Sequence, residues 1–90
     1  MTLVKLDYSV NNIDDILKTM ALLTVETTSW IYGDDMGLPE NIKMYIEYKK
    51  KAMPITYLMY DGTKMFAYLT LSIDNNILNI EDTYIKRLSK

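Results

Sequence analysis

Residues 55–85 read ITYLMYDGTKMFAYLTLSIDNNILNIEDTYI, and this stretch decides the fold. β-Branched, aromatic and aliphatic residues fill three runs, divided by two clusters of turn formers. Ile55–Tyr60 is the first predicted strand. Asp61-Gly62 is a two-residue turn of the kind that demands positive φ, a strong short-range hairpin signal. Lys64–Ile73 is the return strand, with Met65, Ala67, Leu69, Leu71 and Ile73 on one face because side chains alternate along a strand. Asp74-Asn75-Asn76 turns the chain again, and Ile77–Ile85 is a last strand. Strands joined by such short turns can pair only antiparallel.

Upstream of this sheet the period changes. Pro39 and Glu40 fit the first turn of a helix, Ile42, Tyr45, Ile46 and Met53 fall on one side of it, and Pro54 stops it. Lys49-Lys50-Lys51 near its end complement the helix dipole. Glu26–Leu38 reads as a loop holding Trp30, Ile31 and Tyr32, with Gly33 and Gly37 flanking Asp34, Asp35 and Met36. Before it, Ile13, Ile16, Leu17, Met20 and Leu23 or Thr24 recur at helical spacing behind an Asn11 or Asn12 cap, which predicts a helix over 12–24. Leu3–Ser9 alternates as a short strand with Val4, Leu6 and Tyr8 on its apolar face. The expected fold is α+β in the order β-α-α-β-β-β, two helices packed on an antiparallel sheet, as a single domain over 1–90.

Composition narrows the chemistry. Ten basic and twelve acidic residues give a net charge of −2, which argues against the basic footprint of a nucleic-acid binder. The chain has neither Cys nor His. That removes disulfides, the usual zinc sites and any Ser-His or Cys-His catalytic pair. No apolar run reaches the roughly 20 residues that span a bilayer, and Met1–Val10 lacks the pattern of a signal peptide, so a cytoplasmic protein is expected. Phe, Tyr, Met, Ile, Asn and Lys make up 41 of the 90 residues, a bias that AT-rich codons produce and that suggests a bacteriophage or low-GC bacterial source.

Few residues point to a reaction. Glu81-Asp82 is an adjacent carboxylate pair inside an apolar strand. Alternation puts the two on opposite faces, and one of them, if desolvated, could act as a general base. The plainer reading is a solvated or ion-paired strand end. Asp34-Asp35 offers too few oxygen ligands for a calcium loop, and Lys49-Lys50-Lys51 reads as a solvated helix end. The seven Met and eight Tyr serve equally as core filling or as an adaptable contact surface. Trp30 and Tyr32 serve equally as a lid or as an anchor for a partner.

The element order, together with Ile80-Glu81-Asp82-Thr83-Tyr84-Ile85 and the hairpin start Ile55–Gly62, resembles the N-terminal part of the GNAT-type N-acetyltransferases. In that family a similar fourth strand lies beside the pantetheine arm of acetyl-CoA and sometimes carries a catalytic carboxylate. The resemblance implies that Glu81 and Tyr84 match family positions. It also implies a following Gly-rich loop, Arg/Gln-x-x-Gly-x-Gly/Ala, that would hold the cofactor pyrophosphate on backbone N–H groups. The sequence stops at Arg87-Leu88-Ser89-Lys90, where that loop would open. The expectation is therefore no cofactor, no metal and no catalytic residue, with an open sheet face and an unprotected edge at the last strand. The expected function is a non-catalytic protein-binding module, in its most concrete form a phage-encoded inhibitor of a host enzyme or defence system. Its partner would be a host or cognate protein or a second copy in a homodimer, with neither nucleic acid nor membrane involved. Trp30, Tyr32, Tyr68 and Tyr84 are the expected contact residues. The rival expectation is an acetyl-CoA-dependent N-acetyltransferase completed by self-assembly or by a second chain.

Overall fold

Asn75 and Asn76 both take positive φ, 51° and 64°, and reverse the chain in two residues. Asparagine tolerates the left-handed region better than most residues, and a two-residue hairpin turn of type I′ needs it at both central positions. A computed structural model describes the backbone of residues 1–32 and 37–85 and the side chains of 1–27, 37–80, 83 and 85. Its elements are β1 (Thr2–Lys5), α1 (Ile13–Tyr32), α2 (Pro39–Ala52), β2 (Ile55–Asp61), β3 (Lys64–Asp74) and β4 (Ile77–Ile85). The class is α+β in the expected order β-α-α-β-β-β, and all three strand pairings are antiparallel. The residues group into two compact units, Met1–Leu6 with Pro54–Lys90, and Asp7–Met53.

The helical unit buries Ile13, Leu17, Met20, Ala21, Leu23 and Thr24 along one stripe of α1. Full burial of Leu17 and Met20 contributes about 1.5–3 kcal/mol each. Asp14 and Asp15 sit in the first turn, where carboxylates favour the dipole. α1 does not end at Thr24 as the spacing predicts. It continues to Tyr32, so the segment expected as a loop from Glu26 is helical at its start. Thr24 and Thr27 keep their hydroxyls inside the helix: Thr24 Oγ1 donates to the Met20 carbonyl at 2.9 Å and Thr27 Oγ1 to the Leu23 carbonyl at 3.0 Å. This back-bonding satisfies residues that otherwise favour leaving the helix.

α2 begins on Leu38, whose carbonyl accepts from the N–H groups of Asn41 and Ile42. It ends on Met53, a left-handed cap at φ 46° and ψ 53° whose N–H donates to the Lys49 carbonyl at 2.8 Å. Met53 thus closes the helix and is 57% exposed, where the spacing predicts a place on the apolar stripe. Lys50 Nζ lies 2.9 Å from Asp14 Oδ1 and ties the end of α2 to the start of α1. Both side chains are largely exposed, so the pair is worth about 0–1 kcal/mol. Lys49 departs from the expected solvated helix end. It is buried, with its ammonium 5.3 Å from the Tyr45 ring centre and 5.9 Å from that of Tyr48. Tyr45 stands one helical turn before Lys49, the spacing at which side chains meet, and aromatic faces attract the cation.

In the sheet unit the strands lie in the order β1-β2-β3-β4, so β1 and β4 are its edges. β1 is shorter than the expected strand over 3–9. Asp7 Oδ1 accepts from the Ser9 N–H at 2.9 Å and from Ser9 Oγ at 2.6 Å, which bends the chain out of the extended form. The hairpin loop between β2 and β3 is Gly62-Thr63 and not Asp61-Gly62, because Asp61 still pairs with Lys64. Gly62 carries the positive φ, 63°, at the first central position.

Two bulges break the register. Met59 pairs with Ala67 and Tyr60 with Met65, which leaves Phe66 as an extra residue in β3. Thr70 pairs with Asp82 and Leu71 with Ile80, which leaves Glu81 as an extra residue in β4. The first bulge corrects a face assignment. From Ala67 onward the odd residues of β3 share a face, but Met65 falls on the other side with Tyr60.

Candidate functional site

The register sorts the sheet into two unlike faces. One carries Thr56 and Leu58 of β2 beside Tyr68 and Thr70 of β3, all 2% exposed or less. Thr56 Oγ1 donates to the Pro54 carbonyl at 2.9 Å, so its hydroxyl is satisfied inside that layer.

The opposite face is open. Pairing aligns Leu3 with Met59, Tyr57 with Leu69, Ile55 with Leu71, Leu71 with Ile80, and Ile73 with Leu78. Ile55, Tyr57, Met59, Leu69 and Leu71 are half-buried in the middle of this face. Leu3, Ile73, Leu78, Ile80 and Ile85 around them are 61–66% exposed. Ala67 lies low among them at 1% because its side chain is a single methyl. Charges on this face stand at its margins: Lys5 on β1, and the cross-strand pair Asp61 and Lys64 beside the first hairpin loop. Between those margins the described positions carry aliphatic and aromatic side chains, with Thr83 on β4.

The end of the β3–β4 hairpin extends this surface. β2 starts opposite Leu71, so Ser72–Asp74 and Asn79–Ile77 pair beyond it as a two-stranded ribbon. The ribbon is two-sided. Ile73 and Leu78 stand on the open apolar face, while Ser72 and Asn79 pair on the other. Exposed aliphatic side chains on a paired ribbon serve no core within the described residues, and contiguous apolar surface of this kind marks interaction sites.

The helical unit has two surface grooves of its own. One, about 560 Å3, is lined by Ile42 and Ile46 together with Lys18, Lys43, Asp14 and Glu47. The other, about 450 Å3, lies among Ala21, Val25, Tyr45 and Tyr48. The lining of the first mixes both signs, and Lys50 there is already paired with Asp14, so neither groove gathers polar groups of one kind on a point. Among the described residues no cluster of three or more Asp or Glu could hold a metal ion. No helix among them is long and apolar enough to cross a membrane.

The structure distributes the four expected contact residues unevenly. Tyr68 lies in the buried face and is 1% exposed, so it offers a partner no surface. The alternation already set Tyr68 opposite Ala67, Leu69 and Leu71, but the buried face is the less apolar one, which the sequence pattern does not indicate. Trp30 and Tyr32 belong to the last turns of α1, not to a loop, and their side chains lie outside the described residues. Tyr84 pairs with Tyr68 at the backbone, and its side chain also lies outside them. Glu81, one of the two carboxylates weighed as a base, is the extra residue at the bulge of β4, and the side chains of Glu81 and Asp82 lie outside the described residues. The residues missed by sequence reasoning are Leu3, Ile73, Leu78, Ile80 and Ile85. Their signal was present in the apolar positions 78, 80 and 85 of a strand at the end of a sheet, where little neighbouring structure remains to bury them.

No protein-family model matches the chain, and no curated protein or solved structure matches it either. The resemblance to acetyltransferases therefore stands on the residues quoted for it and on element order.

Proposed function

We propose that this chain is a non-catalytic protein-binding module that works through the open face of its sheet and the adjoining β4 edge. The observation that carries the reading is the cross-strand cluster of Leu71, Ile73, Leu78 and Ile80, three of them more than 60% exposed on one face of the β3–β4 pair. Keeping such side chains in water forgoes about 25 cal/mol for every Å2 of apolar surface that a partner would cover. The free edge of β4 adds a row of backbone donors and acceptors to the same border. An inhibitor that docks on a host protein, encoded by a phage, is one form of this module. Codon-level composition is what speaks for that form.

The reading is tested by capture from a cell extract on the immobilised chain, compared with Ile73→Lys and Ile80→Lys. Both side chains are exposed, so these changes leave the buried layer intact. A protein retained by the wild type and lost with either variant supports the module. Equal retention by all three removes it, and so does retention by none if the wild type is also monomeric in solution.

A second reading, an acetyltransferase completed by another copy or another chain, is favoured by the order of elements and by the position of β4 at an edge, where a pantetheine arm would lie in the resembling family. Titration calorimetry with acetyl-CoA separates the two. No heat of binding is expected from a protein-binding module, whereas saturable binding would reverse the ranking.

A further inference from the structure

We infer that the occupant of the open sheet face is a second copy of the same chain, packed face to face across a two-fold axis as in a β-sandwich. The inference rests on the binding-module reading and names its partner.

Charge is the first reason. The described positions of the face carry charge only at Lys5 and at the Asp61–Lys64 pair, all at its margins. A two-fold axis brings a patch onto itself, so any charge near its centre would meet its own like. A neutral aliphatic centre from Ile55 and Leu69 to Leu71 and Ile80 meets no such penalty. A partner of different chemistry would find few polar groups there to recognise.

Shape is the second. Sheets present flat, ribbed faces, and two of them stack about 10 Å apart with strands within about 30° of alignment. The exposed Ile73, Leu78 and Ile80 stand where the side chains of a second sheet would interdigitate.

Size is the third. At about 4.8 Å between strands and 3.3 Å per residue, strands of 4, 7, 11 and 9 residues cover roughly 490 Å2 in plan. Relief from protruding side chains raises the accessible area toward the ~800 Å2 per partner of a standard interface. A domain this short buries only about 60–65% of its unfolded surface by itself, so a shared face adds core where a small chain lacks it.

Sedimentation equilibrium on the full chain tests this, with far-ultraviolet circular dichroism as the folding control. The wild type should run at about twice its 10.5 kDa, and Ile73→Lys and Ile80→Lys should run as monomers with unchanged spectra. Asn79→Lys places the same charge on the other side of the same ribbon and should stay dimeric. A monomeric wild type overturns the second copy as occupant. In that case the module reading survives if the two Ile variants still lose a protein captured from extract, and falls with it if they do not. A wild-type dimer that both Ile variants leave intact places the contact elsewhere and also overturns the inference.

Discussion

Asp7 shows how one side chain decides where a strand stops. The Ser9 hydroxyl donates to its carboxylate and the Ser9 N–H donates as well, and both bonds favour the charged form. They hold the Asp7 carboxyl below its ordinary 3.8 against a slight opposing effect of burial. Because the folded value is depressed, the turn's contribution to stability is complete above the unfolded pKa and is lost as pH falls through the folded one. A carbon-13 titration of the Asp7 carboxyl should give a midpoint under 3.8, and Ser9→Ala should raise it toward that value while the N–H bond remains. A wild-type midpoint at or above 3.8 would contradict the geometry. At this scale the sequence was partly readable. Asp7 and Ser9 are turn formers in an otherwise alternating run, but alternation alone carries the strand through them to residue 9. Lys49 was grouped with Lys50 and Lys51, although Tyr45 one turn before it and the adjacent Tyr48 set it apart, and its ammonium lies near both rings.

At the scale of elements, the breakers did most of the specifying. Pro39 and Pro54 bracket α2, and Asn75-Asn76 and Gly62 set the two hairpins. The end of α1 was misplaced because the apolar spacing was followed only to Leu23 or Thr24, yet no Gly or Pro interrupts the chain before Gly33. The hydroxyls of Thr24 and Thr27 bond back within the helix, which lets it run on. The cap of α2 carries strain that can be removed. Left-handed backbone costs a residue with a Cβ about 1–2 kcal/mol, and Met53 occupies it while 57% exposed. Met53→Gly relieves that strain, less about 0.5–1 kcal/mol for the greater freedom of glycine in the unfolded chain. The net expectation is a gain of roughly 0.5–1 kcal/mol, read as a higher urea midpoint at unchanged slope. A lowered midpoint would mean that the Met53 side chain does more in packing than its exposure implies.

For the whole molecule, a second copy on the open face would link stability to association. If two copies share it, folding and dimerisation are one equilibrium and the melting temperature depends on concentration. Thermal melts across about a hundredfold range of protein concentration should shift upward for the wild type and stay level for Ile80→Lys. A level wild-type series would detach stability from association.

What the amino-acid order determined by itself was the class and succession of elements, because local period, Pro, Gly and Asn act over a few residues and need no distant partner. Which side of the sheet is closed lay beyond it. The face with Ala67, Leu69, Leu71 and Ile73 is the more apolar in sequence, yet Tyr68 and Thr70 are the buried pair. Pairing settles which residues share a face, and the extra residue Phe66 puts Met65 on the side of Tyr68, but alternation along one strand does not say which face another layer closes. Only the tertiary structure, by closing one of the two faces, could decide that Tyr68 is core and that Ile73, Leu78 and Ile80 remain on the surface.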